Sequence, residues 1–164
     1  MEQLLGFLKT IPEYKLLIQS ISQGDSVAVT GIGQINRSHL IAALHRDDPR
    51  PMVLICHDDI SAKRLQEELN SFCGVKAPIL PSRELTLYDT AVVSRGWEQK
   101  RLRQLYELVT SNCKFQIMSW EALSQRTIPP HTLRQATFSL KTGEEYQIDE
   151  ILQKLTEAGY RRCD

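Results

Sequence analysis

Two glycines at a strand-to-helix junction are the residues whose type and spacing are most suggestive of chemistry. Gly31 and Gly33 lie in the stretch SVAVTGIGQINRSHLIAAL, residues 26–44, between a β-branched run and a helical pattern. Phosphate-binding loops have this layout and follow the pattern G-x-x-x-x-G-K-[ST]. In such a loop the glycines turn backbone N–H groups toward the phosphates, the lysine reaches the β and γ phosphates, and the hydroxyl binds magnesium.

The pattern can be aligned with this stretch in two ways, and neither keeps the lysine. An alignment that starts at Gly31 reads GIGQINRS. It has Asn36 in place of glycine, Arg37 in place of lysine, and Ser38 supplying the hydroxyl. Arginine is a broad planar donor and does not replace a point-charge lysine in a tight loop.

The second alignment starts at Ala28 and reads AVTGIGQI. It keeps Gly31 and Gly33, but the uncharged Gln34 takes the lysine position and Ile35 takes the position of the magnesium ligand. We interpret the segment as a strand-to-helix turn retained from a nucleotide-binding ancestor, with no cofactor and no ATP hydrolysis in this chain. The residues of this degenerate nucleotide loop are Gly31, Gly33, Gln34, Arg37 and Ser38.

A nucleophile could be sought in the run Cys56-His57-Asp58-Asp59. However, Cys56 ends an apolar strand, and Asp58 or Asp59 is better explained as the N-cap of the following helix. The four cysteines lack the paired spacing of a zinc site, and the four histidines show no ligand spacing. The sequence therefore predicts no catalytic set and no metal site, and it favours reduced thiols.

A basic helix is a further candidate, for nucleic-acid binding. Its acidic residues, Glu98 and Glu107, are spaced to pair with the basic residues three or four positions away, so an ordinary solvated face is the stronger interpretation. The basic residues, with one tryptophan among them, are Arg95, Lys100, Arg101, Arg103 and Trp97.

Alternating strand and helix patterns predict an α/β domain with a parallel sheet and right-handed crossovers. Strands are predicted at residues 27–30, 52–57, 75–80 and 114–119, and the run MVLICH is typical of a strand buried on both faces. One helix is expected to end at Gly24, and Asn36 or Ser38 is expected to cap the next. Further helices are predicted at residues 95–110 and 120–126, and after residue 59 on the apolar stripe Ala62, Leu65, Leu69 and Phe72.

The sequence pattern changes at two consecutive prolines, Pro129 and Pro130, where we place a domain boundary between residues 1–128 and 129–164. The run ATFSLKTGEEYQI alternates like an exposed antiparallel strand with a turn at Gly143. Asp149 is predicted to cap a helix that ends at Gly159. The second segment is therefore expected to begin a small α+β domain.

Composition gives no global reason to expect nucleic-acid binding. The 164 residues contain 20 basic and 20 acidic side chains, and 41% are hydrophobic. The balanced charge excludes a strongly basic nucleic-acid-binding domain. No apolar run approaches the length of a membrane span, so a cytoplasmic protein without membrane contact is expected.

Four segments resemble, in order and spacing, the start of the bacterial transcription-repair coupling factors, the Mfd family. The segments are VAVTGIG, LPSREL with LYD, ALSQRTIPP and AGYRR, and they cover nearly the whole chain. The resemblance implies a helicase-like, P-loop-derived but degenerate fold similar to UvrB. Residues 1–128 would be part 1a of that fold, and residues 129–164 the beginning of domain 2. Part 1b, the polymerase-binding domain and the motor would lie outside this chain.

The resemblance also implies a function and partners. Members of this family displace stalled RNA polymerase with an ATP-driven DNA translocase and recruit the excision-repair protein UvrA. This chain would be a non-catalytic module for UvrA recruitment in transcription-coupled nucleotide excision repair, and it would pack against other domains of the full-length protein. RNA polymerase, DNA, ATP and Mg would be bound only by domains outside it. For the UvrA contact, Arg162 is the best match to the family pattern and Arg161 is the alternative.

Two other hypotheses remain open. One is a nucleotide-binding P-loop enzyme that uses the loop at residues 31–38, and the other is a DNA-binding helicase remnant that uses the basic face at residues 95–103. A split domain without part 1b would also expose a sheet edge or an apolar face. Such exposure predicts self-association or marginal stability.

Overall fold

The computed structural model of the chain describes residues 6–74, 77–82, 95–110 and 113–161. The chain divides into two compact units, Met1–Gln125 and Arg126–Asp164.

The first unit is an alternation of helices and short strands. A 3₁₀ turn at Leu8–Thr10 comes before the first α-helix. The elements that follow are α1 (Pro12–Gln23), α2 (Gln34–Asp47), β1 (Met52–Cys56), α3 (Asp59–Cys73), β2 (Ile79–Leu80), α4 (Arg95–Thr110), β3 (Phe115–Ser119) and α5 (Trp120–Ser124).

The three strands form a parallel sheet in the order β1-β3-β2. Strand β3 is central and pairs with β1 from Met52↔Phe115 to Cys56↔Ser119. Its other edge pairs with β2, where Ile79 is opposite Ile117. All five residues of β3 are buried. The predicted α/β class and parallel sheet are confirmed.

Each face of the sheet carries its own apolar cluster. On one side, residues of α2 and α3, including Ala43 and Leu69, pack with Phe115 and Ile117. On the other side, Met118 packs with Leu80, Ala122 and Leu105. Alternate residues of a strand point to opposite faces, so β3 supplies the centre of both clusters.

Predicted bounds of three helices are confirmed. Gly24 ends α1 in the left-handed conformation, with φ of 82°. Asp58 caps α3, because its side chain accepts a hydrogen bond from the Ser61 N–H at 2.7 Å. The bounds of α4, Arg95–Thr110, agree with the predicted helix.

The predicted strand at residues 27–30 is wrong. These residues are not paired in the sheet, and the side chains of Val27 and Val29 are about half exposed. A β-branched run favours extended backbone, but a strand also needs a neighbour to pair with. Among the described residues β1 pairs only with β3, so the 27–30 segment has no neighbouring strand.

The predicted caps of α2 are also wrong. The helix begins at Gln34, which places Asn36 and Ser38 inside its first turns. Gly33 takes the N-cap position in an extended conformation, and its carbonyl accepts the Asn36 N–H at 2.9 Å. Because the helix starts at Gln34, Ser38 lies inside the helix and its hydroxyl does not cap the N-terminus.

Strand β1 is at the expected place but is not buried on both faces as predicted. Met52, Leu54 and Cys56 pack against the core. Val53 and Ile55 point to the other face and are 61% and 53% exposed. The apolar cluster on that face is formed by Met118, Leu80 and Ala122, and it leaves Val53 and Ile55 uncovered.

The second unit contains two described helices, α6 (Pro130–Gln135) and α7 (Ile148–Glu157). The antiparallel strand predicted from ATFSLKTGEEYQI is absent from this described segment. Instead, the Tyr146 hydroxyl accepts the Lys141 N–H and donates to Glu144, which closes an irregular turn around Gly143. Most of these residues are exposed and lack the covering layer that a half-buried strand needs.

Asp149 lies in the first turn of α7 and does not cap it, because Gln147 occupies the N-cap position. The negative charge of Asp149 still interacts favourably with the positive end of the helix. Gly159 follows the helix with φ of 87°, as predicted for its end.

A polar cluster at the end of α2 joins it to the N-terminal helices. Asp47 accepts a hydrogen bond from Tyr14 at 2.9 Å and forms ion pairs with Lys9 at 3.0 Å and Arg46 at 2.8 Å. Its side chain is 8% exposed. Hydrogen bonding from Arg46, then from Lys9 and Tyr14, lowers the pKa of Asp47 from 3.8 to about 2 against the opposing effect of burial.

This lowered pKa predicts an acid-dependent contribution to stability. A carboxylate with a depressed folded-state pKa stabilises the fold above its unfolded value of about 4, and the contribution disappears as the pH falls toward about 2. Asp47→Asn should lower the free energy of unfolding by roughly 1–2 kcal/mol at neutral pH and flatten its acid dependence. Urea unfolding across this pH range measures both effects.

The matched control is Glu107→Gln, which removes the i,i+4 ion pair with the exposed Arg103 and keeps a carbonyl oxygen that can accept from Gln104. Its effect should stay within about 0.5 kcal/mol. Equal effects of the two substitutions would contradict the role given to Asp47.

Candidate functional site

The glycine turn ahead of α2 is the first candidate site. Gly31 adopts the left-handed conformation with φ of 77°, which favours glycine. Gly33 is extended, and α2 begins at the next residue. In phosphate loops the last glycine of the pattern comes directly before the lysine at the start of the helix. The helix start therefore agrees with the alignment that begins at Ala28, which places Gln34 at the lysine position.

Gln34 and Arg37 are exposed on the first turn of α2 and share one face of it. They line a small cavity of about 280 Å³ together with the end of β1 and the first turns of α3. Across this cavity lies Arg64, whose guanidinium is paired with Glu68 at 3.1 Å. The cavity thus collects two arginines at the carboxyl end of a parallel strand, without a lysine among its lining residues.

Ser38 is separated from this surface. Its side chain is fully buried, and its hydroxyl donates to the Ile35 carbonyl at 3.1 Å. A magnesium ligand has to reach the solvent side of the loop. Ser38 therefore contributes to the packing of α2 and is not presented to a metal ion in this conformation.

A larger cavity of about 750 Å³ lies on the other side of the loop. It is bounded by α1, residues 27–32 and the first half of α2. Its lining is mainly apolar and includes Ile11, Leu17, Val29, Ile32 and Leu40. The unpaired 27–32 segment thus forms a wall of this cavity.

The Cys56-His57-Asp58 run does not form a catalytic arrangement. Burial and the nearby Asp58 carboxylate raise the pKa of the Cys56 thiol, which disfavours the reactive thiolate. Asp58 is engaged as the cap of α3, and His57 Nδ1 is 3.4 Å from its carboxylate. Cys56 and Cys113 are free thiols. Cys163 and the side chains of Cys73 and Phe72 lie outside the described part of the chain.

The basic helix α4 divides into two kinds of residue. Arg103 pairs with Glu107 at 3.3 Å, and Lys100 lies over the Trp97 ring at 5.5 Å from its centroid. The Arg103–Glu107 pair is the kind of contact that the sequence predicts, and Lys100 is exposed as well. Arg101 is different, because its half-buried guanidinium donates to the Pro81 carbonyl at 2.6 Å and to the Ala122 carbonyl at 3.0 Å.

Arg101 therefore ties the segment after β2 to the short helix after β3. Sequence reasoning placed this residue on a solvated face. The half-buried position of Arg101 could have been predicted from its spacing, because Arg101 is four residues before Leu105, which packs in the Met118 cluster. Residues four apart share a helix face, so Arg101 lies on the side of α4 that faces the sheet.

The predicted partner-binding residues lie at the end of the second unit. After α7, the Tyr160 N–H donates to the Leu155 carbonyl at 3.0 Å, and Gly159 supplies the left-handed turn. This arrangement is a common helix C-terminus. Arg161 follows it with an exposed side chain. Arg162 lies outside the described residues.

Two general searches of the described residues give no further site. No group of three or more His, Cys, Asp or Glu side chains lies close enough to hold a metal ion in the part of the chain that is described. None of the described helices has the length and apolar character required to cross a membrane.

Fold and loop together define an α/β protein with a parallel sheet and a glycine turn that leads into a helix at a glutamine. Its relatives are transcription-repair coupling factors. The protein of that name from Bacillus subtilis (strain 168) is 23% identical over 166 residues, which covers 100% of this chain and 14% of that protein. The one from Escherichia coli (strain K12) is 30% identical over 125 residues, or 76% of this chain and 11% of that protein.

A third coupling factor, from Myxococcus xanthus, is 24% identical over 154 residues, or 88% of this chain and 13% of that protein. The matches confirm the resemblance seen in the four sequence segments: the chain is related over most of its length to the transcription-repair coupling factors. It spans only 11–14% of the length of these relatives. No protein-family model and no solved structure matches it.

The contacts of Arg101 predict a structural role that can be measured. Arg101→Ala leaves two carbonyls without their charged donor and should lower the free energy of unfolding by about 1–3 kcal/mol. Arg103→Ala, two residues along the same helix, removes only an exposed ion pair and should cost less than about 0.5 kcal/mol. Denaturant unfolding compares the two variants, and equal losses would show that Arg101 does not tie the two segments together.

Proposed function

We propose that this chain is part 1a and the beginning of domain 2 of a transcription-repair coupling factor. In this proposal it is a non-catalytic module that recruits UvrA in transcription-coupled nucleotide excision repair. The observation that carries the proposal is the similarity to coupling factors over 76–100% of the chain. Part 1a corresponds to residues 1–128 and domain 2 begins at residue 129.

The geometry of the loop supports a non-catalytic role. Nucleotide hydrolysis in a phosphate loop needs a lysine on the phosphates and a hydroxyl on magnesium. Here Gln34 starts the helix, Ile35 follows it, and the Ser38 hydroxyl is bonded inside α2. Arg37 is the exposed cation on this turn, and its planar guanidinium differs from an ammonium in shape and hydration. The helicase-like fold is in this proposal a scaffold inherited without its ATPase.

The contact with UvrA is assigned to Arg162, with Arg161 as the neighbouring candidate. An exposed arginine makes a strong interface anchor because its fork pairs with carboxylates and its plane stacks on aromatic rings. Arg161 directly follows the turn that ends α7 and is exposed. Its backbone position is fixed by the Gly159 turn, which reduces the conformational entropy lost on binding.

Other contacts follow from the proposed place of the chain in a longer protein. Other domains of a full-length coupling factor would pack against this module and mask it until UvrA is needed. RNA polymerase and DNA would be contacted by those domains, and ATP and Mg would be bound by the motor. The protein would act in the cytoplasm.

The UvrA assignment is tested by capture of purified UvrA on the immobilised chain, continued through the remainder of domain 2. Arg162→Ala should weaken capture by about 30-fold, the effect of losing an interface anchor of about 2 kcal/mol. Lys141→Ala, which removes an exposed cation in the same unit, is the matched control and should leave capture unchanged. Arg161→Ala shows which of the two arginines makes the contact.

Undiminished capture by both arginine variants would remove the pair from the interface. Failure of the unsubstituted chain to capture UvrA at all would overturn the recruitment proposal.

A further inference from the structure

Helix α1 is attached to the rest of the first unit along one of its faces. Tyr14 is buried, and Ile18 packs beside it against the apolar cluster of α2, α3 and β3. On the same face the Ile21 carbonyl accepts a hydrogen bond from the Arg50 guanidinium at 3.4 Å. Positions 14, 18 and 21 have the spacing of a single helix face.

The neighbouring face of α1 borders the cavity of about 750 Å³. Glu13, Leu16, Leu17 and Ser20 also have the spacing of a single helix face, and all four line this cavity. Leu16 is 63% exposed. A face that borders a cavity lacks partner atoms there and gains no dispersion energy from that side. The attachment of α1 therefore depends on the face that carries Tyr14.

The polar part of this attachment is concentrated in residues 47–50. Asp47 accepts the Tyr14 hydroxyl at 2.9 Å and pairs with Lys9, in the 3₁₀ turn before α1, at 3.0 Å. Arg50, three residues further along, holds the other end of α1 through the Ile21 carbonyl. One short segment thus contacts both ends of residues 8–23.

A joint separates α1 from α2. Gly24 ends α1 in the left-handed conformation, and residues 25–31 lie outside helices and strands and are exposed. Exposed backbone that is not held in a helix or strand rearranges at a low cost in free energy. Within α1 the hydrogen bonds are local, so the helix can leave its place without first breaking them.

We propose that residues 8–23, the N-terminal arm, detach from the first unit as one body while α2, α3 and the sheet stay folded. The arm turns about residues 24–31, and the contacts of Asp47 with Lys9 and Tyr14 keep it attached. Four residues of the arm line the large cavity, so detachment removes one of its walls and uncovers apolar lining such as Leu40. The arm therefore controls access to this cavity.

Hydrogen–deuterium exchange of the chain, measured by peptide mass spectrometry, tests the detachment. A helix of 12 residues is marginal in water without tertiary contacts, so the amides of α1 exchange whenever the arm is detached. Amides of the buried strand β3 exchange when the whole unit unfolds. Relative to intrinsic rates, peptides from α1 should exchange at least about tenfold faster than peptides from β3. Equal protection of the two elements contradicts a separate detachment.

Substitutions at the attachment test which contacts hold the arm. Asp47→Asn weakens both polar contacts of Asp47 and should accelerate exchange of α1 by about 5- to 30-fold. Tyr14→Phe keeps the ring, removes the hydroxyl, and should accelerate it by about threefold or more. Unchanged exchange of α1 in both variants would show that Asp47 does not hold the arm.

The matched control is Arg101→Ala. The contacts of Arg101 with the Pro81 and Ala122 carbonyls stay intact when only the arm detaches, and they are lost when the unit unfolds. This substitution should therefore accelerate exchange of β3 by at least about fivefold and leave α1 within about twofold of the unsubstituted chain. Equal acceleration of α1 and β3 would show that the arm opens only by unfolding of the whole unit.

Thiol labelling tests the access to the cavity. Leu40→Cys places a thiol in the lining, and its alkylation by iodoacetamide should become about 5- to 30-fold faster when Asp47→Asn is added. Cys56 lines the smaller cavity and is the internal control, with a rate that should stay within about twofold. Labelling of the Leu40→Cys thiol at the same rate with and without Asp47→Asn would show that the arm does not control access.

Discussion

The structure of the first unit depends on the burial of one central strand. Strand β3 is buried at every residue and is bonded in parallel to β1 on one edge and to β2 on the other. Parallel strands have to be covered on both faces, because their crossover connections run over the sheet. Phe115 and Ile117 meet α2 and α3 on one face, and Met118 meets α4 and α5 on the other. The edge strand β1 receives this double cover only in part, which explains its exposed Val53 and Ile55.

Polar side chains hold in place the segments that follow β2 and β3. Arg101 binds the carbonyls of Pro81 and Ala122, and the Ser82 hydroxyl donates to Asp59 at the start of α3. These contacts lie at the carboxyl ends of β2 and β3, which is the end of a parallel sheet where α/β proteins bind their ligands. In this chain that end of the sheet carries structural hydrogen bonds. Its glycine turn has Gly31 in the left-handed conformation and leads into α2 at Gln34.

Structural features that depend on neighbouring residues could be predicted from the sequence. Features that depend on contacts between distant segments could not. Helix α4 and strand β3 were predictable because their apolar periodicity and length are local signals. The 27–30 run was misassigned because β-branched residues specify extended backbone but not a pairing partner. Asn36 and Ser38 were plausible caps by type, yet Gly33 started the helix earlier. The structural role of Arg101 was not predicted, because spacing along the helix cannot show that backbone carbonyls from two distant segments lie within reach of one guanidinium. The choice between the two loop alignments also required the observed helix start.

The central proposal is that the glycine turn before α2, which can be aligned with a phosphate loop, belongs to a protein-binding module that does not use nucleotide. Calorimetric titration of the chain with Mg-ATP tests it most directly, because the heat of binding requires no assumption about partners or turnover. The account predicts no saturable heat, since the lysine position holds Gln34 and the Ser38 hydroxyl is buried. Micromolar binding that disappears in Arg37→Ala would contradict it and would restore the loop as a functional nucleotide site.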